Sequence, residues 1–372
     1  MIEKTPLELQ IEHYRKEIHS DSYPMSIGEA VSMYKNGDLE IHPEFQRFFR
    51  WNSTQKSRFI ESILLGIPVP SFFVSQREDG VWDLIDGLQR FSTILQFIGE
   101  LNDENGEKIN PLPLVKSVYL TELEGVYWAN DKQFTPALKR DFKREKIDFK
   151  IIKKESSYDT KYELFNRLNT GGSSLSDQEV RNCLLILTNK KFYDWIIELS
   201  EYDYFKLTTI LSEDQLSKRY DLELIIRFFA CTQLIGTQST PSDIGDLNKF
   251  LDNAALSMAK DSNFSYDDQK QKFEDTFRVI YNAVEENAFK KYSAHETKFK
   301  GAFSIALFEA VTIGIYSNLQ YYINECSPEN LERKIKELST NRLFTSKTGS
   351  GIRGNSRIAT TIPIAVDFFA NE

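Results

Sequence analysis

The sequence is poor in the residues that form disulfide frameworks and zinc sites. Its three cysteines, Cys183, Cys231 and Cys326, are far apart and form no Cys-x-x-Cys pair, and it has only four histidines. A disulfide-stabilised secreted protein and a Cys/His zinc site are therefore both disfavoured. We expect a protein of the reducing cytoplasm.

An excess of basic charge and long uncharged apolar runs are also lacking. The formal net charge of −9 excludes a surface that is basic throughout, although it leaves open a local basic groove that contacts DNA. The most apolar long stretch, residues 304–323, contains Glu309, Asn318 and Gln320, which predicts a buried core helix. Residues 1–6 contain no apolar signal core. We expect no membrane association.

The chain is long enough for two domains and changes in pattern near residue 155. The patterns predict an α+β protein, with an α/β domain at residues 1–155 and a mostly α-helical domain at residues 156–372. In the first domain they predict helices and strands at 53–65, 69–74, 81–85, 88–99 and 150–153. In the second they predict helices at 160–169, 214–235, 244–259, 267–290 and 302–323, and another that begins at Ser327-Pro328.

One strand-to-helix corner has the composition of a phosphate site. The predicted strand at 81–85 runs into Asp86-Gly87-Leu88-Gln89-Arg90, where a helix begins. The first turn of a helix presents unpaired N–H groups, Gly87 lets an anion approach the backbone, and Arg90 can bind phosphate oxygens. Thr93 adds a hydroxyl, and Asp86 suits a ribose hydroxyl, a cation or Arg90 itself. A plain structural corner with a solvated arginine explains the same residues.

Three further segments contain candidate site residues. Gln46 could orient a water and Arg47 could neutralise a phosphate, although the aromatic residues around them also suit simple packing. Glu61 is a candidate Mg²⁺ ligand or a solvated helix residue. Asn169, before Gly171-Gly172, could reach a base or satisfy a buried turn.

These segments together resemble the N-terminal domain family of GmrSD restriction endonucleases, within the wider ParB/sulfiredoxin-like class. The resemblance rests on residues 59–70 before the corner, the Pro43–Arg47 stretch, and the Asn-x-x-Asn-x-Gly-Gly and Gln-Glu-x-Arg segments within residues 166–182. The family typically has Asp-Gly-Gln-Gln-Arg at the corner, so Leu88 is a departure. The three blocks span about residues 40–182.

The resemblance implies a nucleotide-binding domain in a prokaryotic restriction or anti-phage defence system. It implies an NTP and Mg²⁺ as ligands, with Gln46, Asp86 and Gln89 as candidate catalytic residues. Candidate nucleotide contacts are Arg47, Gly87, Arg90, Thr93 and Asn169. An HNH nuclease needs a histidine base and further histidine or asparagine metal ligands, and after residue 182 the only histidine is His295. We therefore expect no HNH nuclease in this chain and an effector nuclease on another chain. Self-association stays open.

Two other functions fit the same pattern. One is a stand-alone ParB-like DNA nuclease. The other is a non-enzymatic binding module, such as an antitoxin with a vestigial pocket.

Overall fold

The chain divides into two compact units, residues 1–174 and residues 175–372. In the computed structural model the described residues are 5–8, 10, 19–41, 51–103, 106–154, 177–349 and 351–371. The predicted domain boundary at residue 155 and the division between the units both fall within residues 155–176, which lie outside this set. The boundary therefore stays a prediction.

The first unit is organised around a five-stranded mixed sheet. Its strands are β1 (Ser20–Ser26), β2 (Leu39–Glu40), β3 (Phe72–Gln76), β4 (Trp82–Asp86) and β5 (Lys146–Ile152). The spatial order is β1-β5-β3-β4-β2, in which β1 and β5 are antiparallel, β5 and β3 parallel, β3 and β4 antiparallel, and β4 and β2 parallel. The helices of this unit are α1 (Ile27–Asn36), α2 (Ser53–Leu64), α3 (Leu88–Ile98) and α4 (Pro136–Arg144), with a 3₁₀ turn at Thr121–Leu123.

The predicted order of helix, strand, turn, strand and helix is confirmed for α2, β3, β4 and α3. Helix α2 begins with a capping box, in which Asn52 and Gln55 each accept a hydrogen bond from the other's backbone N–H. Helix α3 ends at Gly99, which adopts a left-handed conformation. The strand predicted at 150–153 is β5, which begins earlier, at Lys146.

Three fully buried phenylalanines join the sheet to α3. Phe72 of β3 stacks on Phe149 of β5 with ring centroids 5.2 Å apart, and Phe91 of α3 meets both rings edge-on. Such aromatic pairs add to the stabilisation from apolar burial. Because Phe72 and Phe91 flank the corner between β4 and α3, the core fixes the position of that corner.

In the residues that the structure describes, the second unit is helical apart from one short hairpin. Its described helices are α5 (Asp177–Thr188), α6 (Lys190–Ser200), α7 (Asp203–Thr209), α8 (Glu213–Ser217), α9 (Tyr220–Thr232), α10 (Pro241–Ile244), α11 (Leu247–Lys260), α12 (Tyr266–Val284), α13 (Ile305–Ser317), α14 (Leu319–Asn324), α15 (Pro328–Thr340), α16 (Arg342–Thr345) and α17 (Gly354–Phe368). A 3₁₀ turn at Glu285–Asn287 follows α12, and β6 (Lys291–Ser293) pairs with β7 (Lys298–Lys300).

Most of the predicted helices are present with changed ends. The run at 302–323 is two helices, α13 and α14, which meet at Asn318, and the run at 267–290 stops at Val284. Ser327 caps α15 as predicted, by accepting a hydrogen bond from the Asn330 N–H. The helix predicted at 160–169 lies outside the described residues. Among the helices that are described, none combines the length and apolar character needed to cross a membrane.

A buried ion network joins three helices of this unit. Glu309 of α13 is fully buried and accepts hydrogen bonds from Arg227 of α9, at 2.9 Å, and from Arg357 of α17, at 2.7 and 2.9 Å. Arg227 also pairs with Glu223, one helical turn away. Arg357 is part of α17, so its contact with Glu309 joins that helix to α13.

Candidate functional site

The corner between β4 and α3 places a glycine at the start of a helix. Gly87 has φ +102° and precedes α3 without providing a side-chain cap. A Cβ at this position would lie 3.0 Å from Phe72 Cε1 and closer still to Cδ1. Glycine is therefore required here both by the backbone conformation and by the buried ring. The first N–H groups of α3 have no side-chain oxygen from Gly87 to satisfy them.

The Arg90 guanidinium is held beside this helix start. Its Nη2 donates to Asp86 Oδ2 at 2.9 Å, and its Nη1 donates to the backbone oxygens of Pro70 and of Ser71, the latter at 3.2 Å. The guanidinium carbon also lies 4.8 Å from the centre of the Phe72 ring. Burial lowers the pKa of Arg90, and the charge of Asp86 partly offsets this. An arginine remains cationic under such conditions, so the corner contains a fixed, largely buried positive charge.

Asp86 is the exposed member of this ion pair. Its side chain is 46% exposed, whereas that of Arg90 is 12% exposed. Arg90 is held by two backbone oxygens as well as by the carboxylate, so Asp86 is the more weakly held partner of the pair. Of the roles predicted for Asp86, the structure shows the contact with Arg90.

Gln89 connects the corner to Trp51, which follows the segment that contains the candidates Gln46 and Arg47. Its Oε1 accepts a hydrogen bond from the Trp51 backbone N–H at 3.1 Å. Gln46 and Arg47 lie in residues 42–50, outside the described residues, as does Asn169.

Thr93 has a structural contact instead of a free hydroxyl. Its side chain is fully buried, and its Oγ1 donates to the Gln89 backbone oxygen at 2.6 Å, within α3. This is the usual back-bond of a helical threonine. The arrangement favours a structural role for Thr93 over the nucleotide contact predicted from the sequence.

Glu61 is neither a solvated residue nor an accessible ligand. It is 5% exposed, its Oε1 accepts the backbone N–H groups of Tyr119 and Leu120, at 2.8 and 2.7 Å, and its Oε2 accepts the Ser117 hydroxyl at 2.6 Å. Burial acts to raise the pKa of Glu61, but these hydrogen bonds outweigh it and the pKa is lowered. Because both oxygens bind the same loop, the contacts favour a structural role over the predicted Mg²⁺ role.

A polar cluster next to the corner was not found from the sequence. Asp148 of β5 accepts hydrogen bonds from the hydroxyls of Ser71, at 2.8 Å, and Ser22, at 2.9 Å, and pairs with Lys150 at 3.0 Å. Ser71 is also one of the backbone contacts of Arg90. Burial acts to raise the pKa of Asp148, but the bonds from Lys150 and the serines outweigh it and the pKa is lowered. The alternating pattern Asp148-Phe149-Lys150 in a strand was the available signal.

The Gln-Glu-x-Arg segment forms a buried polar network at the start of the second unit. Arg181 is 1% exposed, and it donates from Nε to Asp252 of α11 at 2.5 Å and from Nη1 to Gln178 Oε1. Gln178 in turn donates to Asn182 Oδ1 at 2.7 Å. These contacts join α5 to α11, so this segment has a structural role in the unit to which it belongs.

The described residues offer little coordination for a metal on their own. Within the described ranges, no group of three or more His, Cys, Asp or Glu side chains is placed to bind a metal ion. Mg²⁺ in nucleotide sites commonly takes one or two carboxylates together with phosphate oxygens. The corner offers one such carboxylate, Asp86, which is exposed beside the helix start. It therefore fits a site in which one carboxylate and phosphate oxygens bind Mg²⁺.

Comparison with known proteins identifies the part of the chain that contains this corner. Residues 27–186 match the family described as GmrSD restriction endonuclease, N-terminal domain. The match includes the sheet strands from β2 to β5, the corner, and most of helix α5. No curated protein and no solved structure matches the chain. Residues 27–186 are therefore a domain of the GmrSD restriction endonuclease N-terminal family, as the sequence motifs predicted.

Proposed function

We propose that the corner at Asp86–Arg90 binds the phosphates of a nucleoside triphosphate, and that the chain is a nucleotide-dependent component of a restriction or anti-phage defence system. The observation that carries the proposal is the buried Arg90 guanidinium, fixed beside the start of α3. A fixed cation and the positive end of the α3 helix dipole suit the same ligand, a phosphate. The family assignment supports the role in restriction.

The polar cluster contains a second cation, Lys150, which is paired with Asp148 as Arg90 is paired with Asp86. Lys150 is linked to Arg90 through Asp148 and Ser71, and its side chain is 41% exposed. One phosphate at Arg90 and a second near Lys150 would suit a di- or triphosphate better than a single phosphate. Lys150→Ala should therefore weaken triphosphate binding more than binding of inorganic phosphate.

The central test is calorimetric binding of the four common NTPs, with Mg²⁺, to wild type and to Arg90→Ala. Loss of a buried charge-assisted phosphate contact costs about 2–5 kcal/mol, so we expect affinity to fall between about thirtyfold and several thousandfold. Arg90→Lys should recover only part of it, because lysine lacks the planar fork. Arg144→Ala is a matched control, since it removes an arginine that is 75% exposed on α4. Equal affinity of Arg90→Ala and wild type would refute the site.

Asp86→Asn distinguishes two roles of the carboxylate. If Asp86 only neutralises Arg90, the variant should bind triphosphate more tightly, since the phosphate no longer competes with a carboxylate. If Asp86 binds Mg²⁺, the variant should lose the increase in affinity that Mg²⁺ gives to the wild type. Titrations with and without EDTA separate these outcomes. Circular dichroism melts of Arg90→Ala and Asp86→Asn establish whether the two variants are folded.

Hydrolysis is a further step of the proposal, with Gln46 placing the attacking water. Gln46→Ala should then keep NTP affinity and lose phosphate release in single turnover, because the contact forms only in the transition state. A wild-type chain that binds NTP but never releases phosphate, with or without DNA, supports the non-enzymatic binding module. Cleavage of plasmid by purified chain with Mg²⁺ alone supports the stand-alone nuclease.

A further inference from the structure

The second unit contains a cavity that the proposed function does not use. The cavity measures about 470 Å³ and lies among α7, α8, the start of α9 and the end of α12. Its volume is within the range of small-molecule sites, about 300–1,000 Å³. Apolar side chains form much of its wall, and three of them, Leu207, Ile210 and Leu216, are 45–52% exposed. Exposed apolar residues gathered at one concave place indicate a site that a ligand covers.

The backbone around this cavity is strained at three positions. Of the described residues other than glycine, four have positive φ, and two of these, Ile210 at +34° and Glu285 at +48°, line the cavity. A third, Arg219 at +56°, lies 3.2 Å from the cavity residue Asp221. Such conformations are unfavourable for residues other than glycine and tend to occur at functional sites. The branched side chain of Ile210 makes its conformation particularly unfavourable.

The charge lining the cavity is predominantly negative. Four carboxylates, those of Glu201, Asp221, Glu285 and Glu286, contribute to the wall, and the lining contains one lysine, Lys206, which is paired with Glu201 at 2.5 Å. Glu285 and Glu286 have no ion-pair partner within the described ranges of the chain. Two of the four carboxylates thus have no cation opposite them.

Asp221 is the most buried of these carboxylates. Its side chain is 13% exposed, and its Oδ1 is inaccessible and has no hydrogen-bond partner. Burial raises the pKa of Asp221, and the nearby Arg219 only partly offsets this. Oδ1 lies below the cavity surface and the carboxylate is paired with Arg219 at 3.2 Å, so Asp221 is part of the wall, and the charge of a ligand would be met by Glu285 and Glu286.

We propose that this cavity binds a small organic cation, an amine or guanidine attached to an apolar body. The apolar wall accounts for the body, and the carboxylates without partners account for the charge. A divalent metal ion fits less well, because the described side chains include no group of three acidic, His or Cys residues placed to coordinate one. An anionic ligand would meet repulsion from Glu285 and Glu286.

The test uses three indole ligands that share one ring and differ in charge. Tryptamine is a cation, tryptophol is neutral and indole-3-acetate is an anion at neutral pH. We expect calorimetry or saturation-transfer NMR with the full chain to show binding of tryptamine, weaker binding of tryptophol and no binding of indole-3-acetate. Tryptamine binding should weaken in about 1 M NaCl, where the Debye length is about 3 Å. Equal binding of all three ligands, or of none, would overturn the proposal.

Substitutions in the cavity wall test whether tryptamine binds in this cavity. Glu285→Gln/Glu286→Gln should weaken tryptamine binding about threefold to tenfold, as expected for two partly exposed carboxylates, and leave tryptophol binding unchanged. The control is Glu325→Gln/Glu337→Gln, which removes two exposed charges from outside the cavity lining. Leu207→Ala should weaken tryptamine and tryptophol alike. If the control double variant loses as much tryptamine affinity as Glu285→Gln/Glu286→Gln, the proposed small-cation site is wrong. It is also wrong if a basic peptide, tested in the same assay, binds and none of the three indole ligands does.

Discussion

Replacing Gly87 with alanine should lower the stability of the first unit, because it adds a methyl group where the backbone conformation and the Phe72 ring leave no room for one. The left-handed conformation of this residue costs a non-glycine residue roughly 1–2 kcal/mol. The added Cβ would also lie 3.0 Å from Phe72 Cε1, and closer to Cδ1, in a core where overpacking costs about 1–3 kcal/mol. We therefore expect Gly87→Ala to lower the free energy of unfolding by about 2–5 kcal/mol.

Gly80→Ala is the matched control for the backbone contribution. Gly80 has φ +92°, close to that of Gly87, but a Cβ there would meet nothing within 4 Å. Its substitution should therefore cost only the roughly 1–2 kcal/mol of the conformation. The difference between the two variants measures the steric clash, which is mainly with the Phe72 ring and to a smaller extent with Arg90 Nη2, 3.3 Å from the added Cβ.

Urea unfolding followed by tryptophan fluorescence provides the measurement. Three of the four tryptophans, Trp51, Trp82 and Trp128, belong to the first unit, so the signal reports mainly on it. A second variant, Phe72→Leu, makes the test specific to the ring. In that background the cost of Gly87→Ala should fall by about 0.5–3 kcal/mol, as expected for residues in contact. If Gly87→Ala and Gly80→Ala are equally destabilising, and Phe72→Leu changes neither, the steric reasoning is refuted.

The remaining predictions concern side chains with structural contacts. Glu309→Ala should lower stability by about 3–5 kcal/mol, because Arg227 and Arg357 lose a buried partner, and a thermal melt that is unchanged would contradict this. Glu61→Gln should be less stable than wild type at neutral pH. The pKa of Glu61 in the folded state is lowered from 4.5, so the difference in free energy of unfolding between wild type and Glu61→Gln should be complete above pH 4.5. It should disappear as the pH falls through the folded-state pKa, and denaturant titrations at several pH values can show this. Thr93→Val should leave NTP affinity unchanged, and a large loss in calorimetry would restore the nucleotide contact predicted from the sequence.

The corner could be predicted from the sequence because its signals are local. A strand, a glycine and an amphipathic helix follow one another between residues 82 and 98, and each has its own pattern. The same holds for the cap at Ser327. In each case the deciding contacts join residues that are few positions apart.

The roles of Glu61 and Asp148 could not be predicted because their partners are remote. Glu61 binds an irregular segment at residues 117–120, more than fifty positions away, and no periodicity marks such a segment. Asp148 meets Ser71 because β5 lies parallel to β3, and strand pairing between distant segments is not encoded in either segment alone. A carboxylate in a helix or a strand therefore looks available in the sequence when it is already bound in the fold.

The contacts of Arg90 explain why the corner suits an anion and does not merely contain a cation. A guanidinium that is free in solvent must lose rotamer freedom when it binds a phosphate, at a cost of up to about 2 kcal/mol. Arg90 has already lost that freedom, because the backbone oxygens of Pro70 and Ser71 hold one side of the group and the Phe72 ring lies against it. The partner that remains movable is Asp86, whose side chain is almost half exposed. In the complex that we propose, binding would exchange one carboxylate for one phosphate at a fixed cation, so little reorganisation would oppose it.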